Sequence, residues 1–281
     1  MNPTGNTAGK ALWFIESHFA GEITLDDIAT TLTVSRFQLS RAFEAAMGVP
    51  VMRYVRARRL SAAARSLSQG APDILAIALD AGYGSHEAFT RAFREQFGTT
   101  PEAIRAQGHL NDIELMEPIK MDETFVDVEP PRFESGRLLL IAGLRERYDC
   151  TSSAGIPAQW QRFMPQFETG MAGQISRVAY GVTCNFDDAG NFDYLCGVEV
   201  ADFSSLPASL SRVRIAGQRY AVFQLSDHIS TIRRSLNTIW NKWLPESGLE
   251  AADAPNFERY DESFDPRTGM GGMEFWLPIK A

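Results

Sequence analysis

The chain has 281 residues, 44% hydrophobic and 22% charged, which is enough for two ordinary domains with separate cores. Its longest apolar run, Leu138 to Leu144, is far too short for a bilayer, and no basic segment followed by an apolar stretch opens the chain, so neither a membrane span nor a signal peptide is expected. The net charge of −8 argues against nucleic acid only until its distribution is counted: residues 1–109 carry 11 Lys/Arg and 10 Asp/Glu, net +1, whereas 110–281 carry 16 and 25, net −9.

From the N-terminus, apolar residues recur at three- and four-residue spacing over residues 7–20, 24–33, 35–47, 50–69, 72–81, 85–97 and 101–107, which predicts helices throughout. Gly21, Gly48, Pro50, Gly70, Pro72, Gly82 and Gly98 punctuate them. Thr24 with Asp27 has the form of a capping box. Thr100-Pro101 is a cap followed by the proline favoured at the first helical position.

The stretch Ser35-Arg36-Phe37-Gln38-Leu39-Ser40-Arg41-Ala42-Phe43, closing at Gly48, returns at an offset of 50 as Ser85-His86-Glu87-Ala88-Phe89-Thr90-Arg91-Ala92-Phe93, closing at Gly98. Upstream, Ile28-Ala29 is echoed by Ile77-Ala78. Each unit is a short helix, a tight turn and a second helix opened by a serine, the organisation of a helix-turn-helix. On a helical wheel, Leu39, Ala42, Phe43 and Ala46 share the inner side of the first such helix, and Arg36, Phe37, Ser40, Arg41 and Glu44 the outer. In the second, Phe89, Ala92, Phe93 and Gln96 turn inward, while His86, Glu87, Thr90, Arg91 and Arg94 project. Side chains from the first turns of such a helix reach base edges in a major groove, where arginine bonds guanine and an aromatic such as Phe37 meets a thymine methyl. Taken singly, Arg41 or Arg91 reads as a solvated arginine; duplication of the whole unit favours base reading. Arg53, Arg56, Arg58 and Arg59 form a basic cluster suited to phosphate.

Residues 8–107 resemble the AraC/XylS family of regulators, on Ile77-Ala78-Leu79-Asp80-Ala81-Gly82-Tyr83, Phe89-Thr90-Arg91-Ala92-Phe93 and Gly98-Thr99-Thr100-Pro101. The resemblance implies two helix-turn-helix units joined by a long helix, here Val51 to Ser68, reading two successive major-groove faces of double-stranded DNA. It implies Phe37, Gln38 and Arg41 as base-proximal in the first unit and His86, Glu87, Thr90 and Arg91 in the second. It also implies RNA polymerase as a partner. A monomer suffices for one site, because both recognition helices lie in one chain.

Residues 109–124 are polar, lack sustained periodicity and are expected to link a DNA-binding domain, 1–108, to a second domain, 125–281. There the pattern changes to short apolar runs bounded by Gly, Pro, Asp or Ser: Arg137–Arg145, Ser176–Cys184, Phe192–Val200, Arg219–Leu225 and Met273–Ile279. Residues 157–168 and 229–244 read as helices between them. The order is strand, helix, strand, strand, twice. An α+β domain with an antiparallel sheet and both helices on one face follows, leaving the other face available as a groove. Candidate ligand contacts are Trp160 and Phe163, one turn apart, Tyr180 and Tyr194 near strand starts, and Glu274 and Trp276, which alternation places on one face of the last strand. A carboxylate flanked by aromatic rings favours a cationic, partly apolar ligand. On spacing alone the tryptophans read as core, and Glu274 reads equally as a solvated acid.

Residues 125–281 resemble the GyrI-like effector-binding domain, on Tyr180-Gly181-Val182, Tyr220-Ala221-Val222-Phe223, Ile239-Trp240-Asn241-Lys242-Trp243-Leu244-Pro245, Glu258-Arg259-Tyr260 and Glu274-Phe275-Trp276-Leu277-Pro278-Ile279. The resemblance implies a small-molecule effector and puts the family's central acid on Glu274. It also implies an alternative activity, since some GyrI-like proteins hydrolyse strained electrophiles with a tryptophan and a glutamate. His18, His86, His109 and His228 are scattered, and the three cysteines, Cys150, Cys184 and Cys196, show no metal-ligand spacing. No cofactor, metal or catalytic set is expected, and the thiols read as reduced, in a cytoplasmic protein.

Overall fold

Polar caps and left-handed glycines set the helical half of the structure, a computed structural model that describes residues 6–119, 124–148, 155–187 and 189–280. Its helices are α1 (Thr7–His18), α2 (Leu25–Leu32), α3 (Arg36–Met47), α4 (Val51–Ser68), α5 (Ile74–Asp80), α6 (His86–Phe97) and α7 (Pro101–Gln107). Thr24 and Asp27 form the reciprocal capping box of α2. Ser35 and Ser85 cap α3 and α6 in the same way, each hydroxyl accepting from the backbone N–H three residues on, at 3.1 and 3.2 Å. Gly48 and Gly98 end those helices at φ of 72° and 68°, a conformation that a side chain would strain.

α4 joins two cores. Ile15, Ile28, Leu39 and Phe43 pack around Tyr54 at its first half; Phe89, Phe93 and Ile104 pack around Leu60 and Leu67 at its second. The expected linker is strapped along α4 as far as it is described. The Met116 N–H donates to Ser61 Oγ (2.9 Å) and the Ile119 N–H to Tyr54 Oη (3.2 Å), while residues 120–123 lie outside the described residues.

Among the described residues, eight strands form one antiparallel sheet: β1 (Arg132–Ser135), β2 (Leu139–Tyr148), β3 (Gln174–Cys184), β4 (Phe192–Val200), β5 (Ser211–Ile215), β6 (Arg219–Leu225), β7 (Asn256–Tyr260) and β8 (Met273–Ile279). The order β1-β6-β8-β7-β3-β4-β2-β5 reads the same from either side of the β3–β7 pair, so two strand-helix-strand-strand repeats meet at the centre. β1 and β5 are edge strands beyond the expected pattern. The helix of the first repeat is α8 (Ile156–Thr169). That of the second runs through α9 (Ile232–Thr238), a π turn (Ile239–Trp243) and α10 (Leu244–Ser247). Both helices lie on one face, over Tyr194, Cys196 and Val198 in one repeat and Phe223, Phe275 and Leu277 in the other. Tyr180, Val182, Tyr220, Val222 and Phe257 cluster on the opposite face. Cys184 and Cys196 are buried free thiols; Cys150 lies outside the described residues.

Candidate DNA interface and effector pocket

The two recognition helices differ in what covers them. On α6 the outward residues Glu87, Arg91 and Arg94 are exposed, and Thr90 and His86 half-buried, with His86 Nε2 2.9 Å from a Glu102 carboxylate oxygen. On α3, Arg36 is open and paired with Asp26 at 3.3 Å, and Ser40 is half-buried. Phe37 and Gln38, however, are each only 8% exposed. The Arg41 side chain is 11% exposed and bonded to Glu44 at 2.9 Å. What buries Phe37 and Arg41 is the second domain. Phe37 packs edge-on against Trp240 and Phe186, and the Arg41 guanidinium lies 4.4 Å above the Phe186 ring. Asn241 fastens the contact: its Nδ2 donates to the Ala42 carbonyl (2.8 Å), and its Oδ1 accepts from the Ala8 N–H (3.0 Å).

The basic cluster on α4 divides as well. Arg53 and Arg56 are exposed. Arg58 is buried against Glu16, with Nε and Nη2 each 2.8 Å from a carboxylate oxygen, and also donates to the Met116 carbonyl. Arg59 donates to the carbonyls of Phe19 and Gly21. These two guanidiniums are committed to holding α1 and the strap on α4, which corrects the expectation of four phosphate-facing arginines.

The larger cavity, about 1060 Å³, lies on the helix face of the sheet, between α8 and α9. The expected groove on the opposite face corresponds to a smaller cavity of about 440 Å³, lined by Tyr180 and Trp276 among others. Of the expected ligand contacts, Trp160 and Tyr194 line the large cavity, and Phe163 is buried beneath it, its ring 6.0 Å from that of Trp160. Glu274 and Trp276 share a face, as alternation requires, but it is the face away from the helices. Glu274 is paired there with Arg132 (2.8 Å) and Arg259 (3.3 Å) and accepts from Trp276 Nε1 (2.9 Å).

The buried acid on the large cavity is Glu258; Glu44, Asp261 and Glu262, which also line it, are more open. In β7, residues 258 and 260 point to the helix face while 257 and 259 point away. Glu258 therefore stands with Tyr260 at the cavity base, directly opposite Gly181 of β3. Trp160 Nε1 donates to Tyr194 Oη (3.1 Å), and Tyr194 Oη donates to Glu258 Oε2 (2.8 Å). The Trp160 and Tyr260 rings meet edge-on at 5.4 Å. Burial pushes the Glu258 carboxyl up to about 7, opposed in part by the tyrosine bond and the charge of Arg41. A buried acid ringed by Trp160, Tyr194 and Tyr260 offers a charge contact and three aromatic walls. Its signal in the sequence is an acid and a tyrosine two apart in a short strand whose apolar content is too low to stand out. From α3, Arg41, Glu44 and Ala45 complete the wall of this cavity. Among the described residues no cluster of His, Cys, Asp and Glu could hold a metal, and no helix is long and apolar enough to cross a membrane.

Residues 130–280 match the family model of the GyrI-like small molecule binding domain, and residues 28–107 match that of a helix-turn-helix domain. The transcriptional regulator Rob of Salmonella typhimurium is 26% identical, with all of both chains covered. The right origin-binding protein of Escherichia coli K12 is 24% identical, again over the whole of both. A solved structure of SAV2435 bound to tetraphenylphosphonium covers 54% of this chain and 94% of its own, at 18% identity and a TM-score of 0.45. With the first of these models matching more than half of the chain, behind an AraC-type helix-turn-helix domain, the chain belongs to the GyrI-like small-molecule-binding family and is a DNA-binding transcription regulator.

Proposed function

We propose that this regulator senses an amphipathic, cationic small molecule in the helix-side cavity, with Glu258 as its charged contact and Trp160, Tyr194 and Tyr260 as its aromatic walls. The observation that carries this is the Glu258 carboxylate, 8% exposed at the base of a cavity of about 1060 Å³ with a tyrosine hydroxyl as its bonded partner. A buried carboxylate without a full counter-charge is costly, and a ligand cation supplies that charge where water is excluded. Of the earlier candidates, Trp160 and Tyr194 remain ligand contacts. Phe163 acts from behind Trp160, and Tyr180, Glu274 and Trp276 serve the far face of the sheet.

DNA is read by Arg36, Phe37, Gln38, Ser40 and Arg41 of α3 and by His86, Glu87, Thr90, Arg91 and Arg94 of α6, with Arg53 and Arg56 toward phosphate. Residues 1–108 are the DNA-binding domain, 109–124 the connection and 125–281 the effector domain. The chain acts as a monomer on one site, engages RNA polymerase there, works in the cytoplasm and performs no chemistry on its effector. Calorimetric titration with rhodamine 6G, an aromatic cation, tests the pocket: saturable one-to-one binding is expected, and no heat would contradict it.

One observation favours a second reading. A glutamate whose carboxyl is raised to about 7 and bonded through tyrosine to tryptophan has the acidity a general base requires, which fits hydrolysis of a reactive electrophile. Recovery of the bound effector intact from the protein separates sensing from hydrolysis.

A further inference from the structure

Two recognition helices built to the same pattern provide an internal control. α6 presents Glu87, Arg91 and Arg94 to solvent, whereas α3 has Phe37 and Arg41 turned into the second domain. A recognition helix enters a major groove about 12 Å wide by its outer face. In this arrangement Trp240 and Phe186 occupy the part of that face which carries Phe37 and Arg41, so these two cannot meet base edges while it persists.

The same contact reaches the effector cavity. Arg41 and Glu44 form part of its wall, as Glu258 does. Arg41 is the cation whose charge acts on the Glu258 carboxyl, and it is held loosely for a buried guanidinium. It bonds Glu44, stacks on Phe186, and its buried Nε has no hydrogen-bond partner among the described residues. Among the described residues, the two bonds of Asn241, the aromatic edges and the stacking of Arg41 on Phe186 fasten the docking.

We propose that Arg41 is a dual-purpose residue, the internal counter-charge of Glu258 in the free chain and a base reader on DNA, and that a cationic effector takes its place at Glu258, undocks α3 and frees that helix for the major groove. In the free chain the effector cavity is thus closed by the first domain, through a residue that DNA also requires. This rests on the assignment of the helix-side cavity as the effector site. A ligand shifts such an equilibrium only by binding the two forms unequally, and competition with Arg41 supplies the difference. The two equilibria are coupled in both directions, so a chain held on DNA binds the cation more tightly.

The test uses the full chain. Hydroxyl-radical footprinting reads Phe37 during titration with rhodamine 6G, with Phe89 of the second unit's core as reference. Phe37 is expected to be protected in the free chain and reactive at dye saturation, while Phe89 stays protected throughout. A chain that binds the dye and keeps Phe37 protected overturns the proposal and leaves the pocket standing. A chain that binds no dye overturns the pocket, and the masking of α3 is then decided by Phe186→Ala. That variant, shown folded by its melting curve, should bind a duplex selected with the wild-type chain about tenfold more tightly, the gain expected if roughly a tenth of the wild type is undocked. Equal or weaker binding overturns the masking. If Phe186→Ala does not fold, Asn241→Ala, which loses the bonds to Ala8 and Ala42, is read by the same criterion. Arg41→Met keeps the apolar stem on Phe186 and deletes the charge. It should bind the dye about tenfold more tightly, the factor that a docked-to-free ratio of that size allows. Unchanged or weakened binding refutes the counter-charge role.

Discussion

Gly181 and Glu258 face each other across the central β3–β7 pair, and the missing side chain of the first makes room for the carboxylate of the second. A Cβ on Gly181 would lie 2.1 Å from Tyr194 Oη and 2.2 Å from Glu258 Oε2, closer than any real contact. The glycine needs no unusual φ, so space is what it supplies. Gly181→Ala is expected to displace the tyrosine–glutamate bond, cost about 1–3 kcal/mol of stability and abolish cation binding. Gly84, around which a Cβ meets nothing within 4 Å, is the control. Thermal melts and dye titrations of Gly181→Ala and Gly84→Ala check both effects.

The acidity of Glu258 predicts a pH dependence of stability. Its carboxyl is raised from 4.5 to about 7 in the folded chain, so the folded state holds a proton that the unfolded chain releases between those values. Folding stability from this group is therefore greatest at and below about pH 4.5. It falls as pH rises toward about 7, by roughly 3 kcal/mol at 1.36 kcal/mol per unit. Glu258→Gln should remove that decline and melt higher than wild type at pH 8. Cation binding runs the other way, since ionised Glu258 is the form that attracts a cation. Affinity for rhodamine 6G is expected to rise between pH 6 and pH 8 in the wild type and stay level in Glu258→Gln.

Arg58 is a prediction about folding rather than about DNA. Its bidentate pair with Glu16, beside Tyr54, ties α1 to α4, and its third bond holds the strap at Met116. Removing one partner of a buried pair strands the other, so Arg58→Ala should destabilise the first domain by about 2 kcal/mol, discounted for the partly open Glu16. Denaturant unfolding of residues 6–119 followed by circular dichroism measures it.

On α6, Arg91→Ala should cost about 1–3 kcal/mol at particular base positions and relax selection there. Arg56→Ala, on the exposed side of α4, should weaken all duplexes alike and lower the salt dependence by about one counterion. Binding-site selection followed by salt titration distinguishes the two behaviours.

The serine caps and closing glycines of α3 and α6 are legible in the sequence because capping is local chemistry among residues a few positions apart. The strands Phe192–Val200, Arg219–Leu225 and Met273–Ile279 are legible for a similar reason, each being an apolar run with clear ends. The docking of α3 is not. The Asn241–Ala42 bond joins residues 199 apart, and the outer face of α3 has the same polar pattern whether it meets DNA or a protein. Alternation likewise pairs Glu274 with Trp276 and Glu258 with Tyr260, but it does not say which face carries the helices and therefore the larger cavity. β7 is five residues long and three of them are polar, so Glu258-Arg259-Tyr260 stands out by family resemblance and not as an apolar strand. The arginines of α4 look equivalent in sequence and separate only when Glu16, on another helix, is brought beside one of them.

The most direct test of the account is a side-by-side titration of rhodamine 6G into wild type, Glu258→Gln and Glu274→Gln, each confirmed folded. Both substitutions keep shape and remove one charge, from opposite faces of the same sheet. Glu258→Gln is expected to weaken the dye on the order of tenfold or more, about 1.4 kcal/mol per factor of ten, while Glu274→Gln leaves the affinity within about twofold. Loss of binding at Glu274→Gln with full affinity at Glu258→Gln would contradict it and move the effector site to the far face.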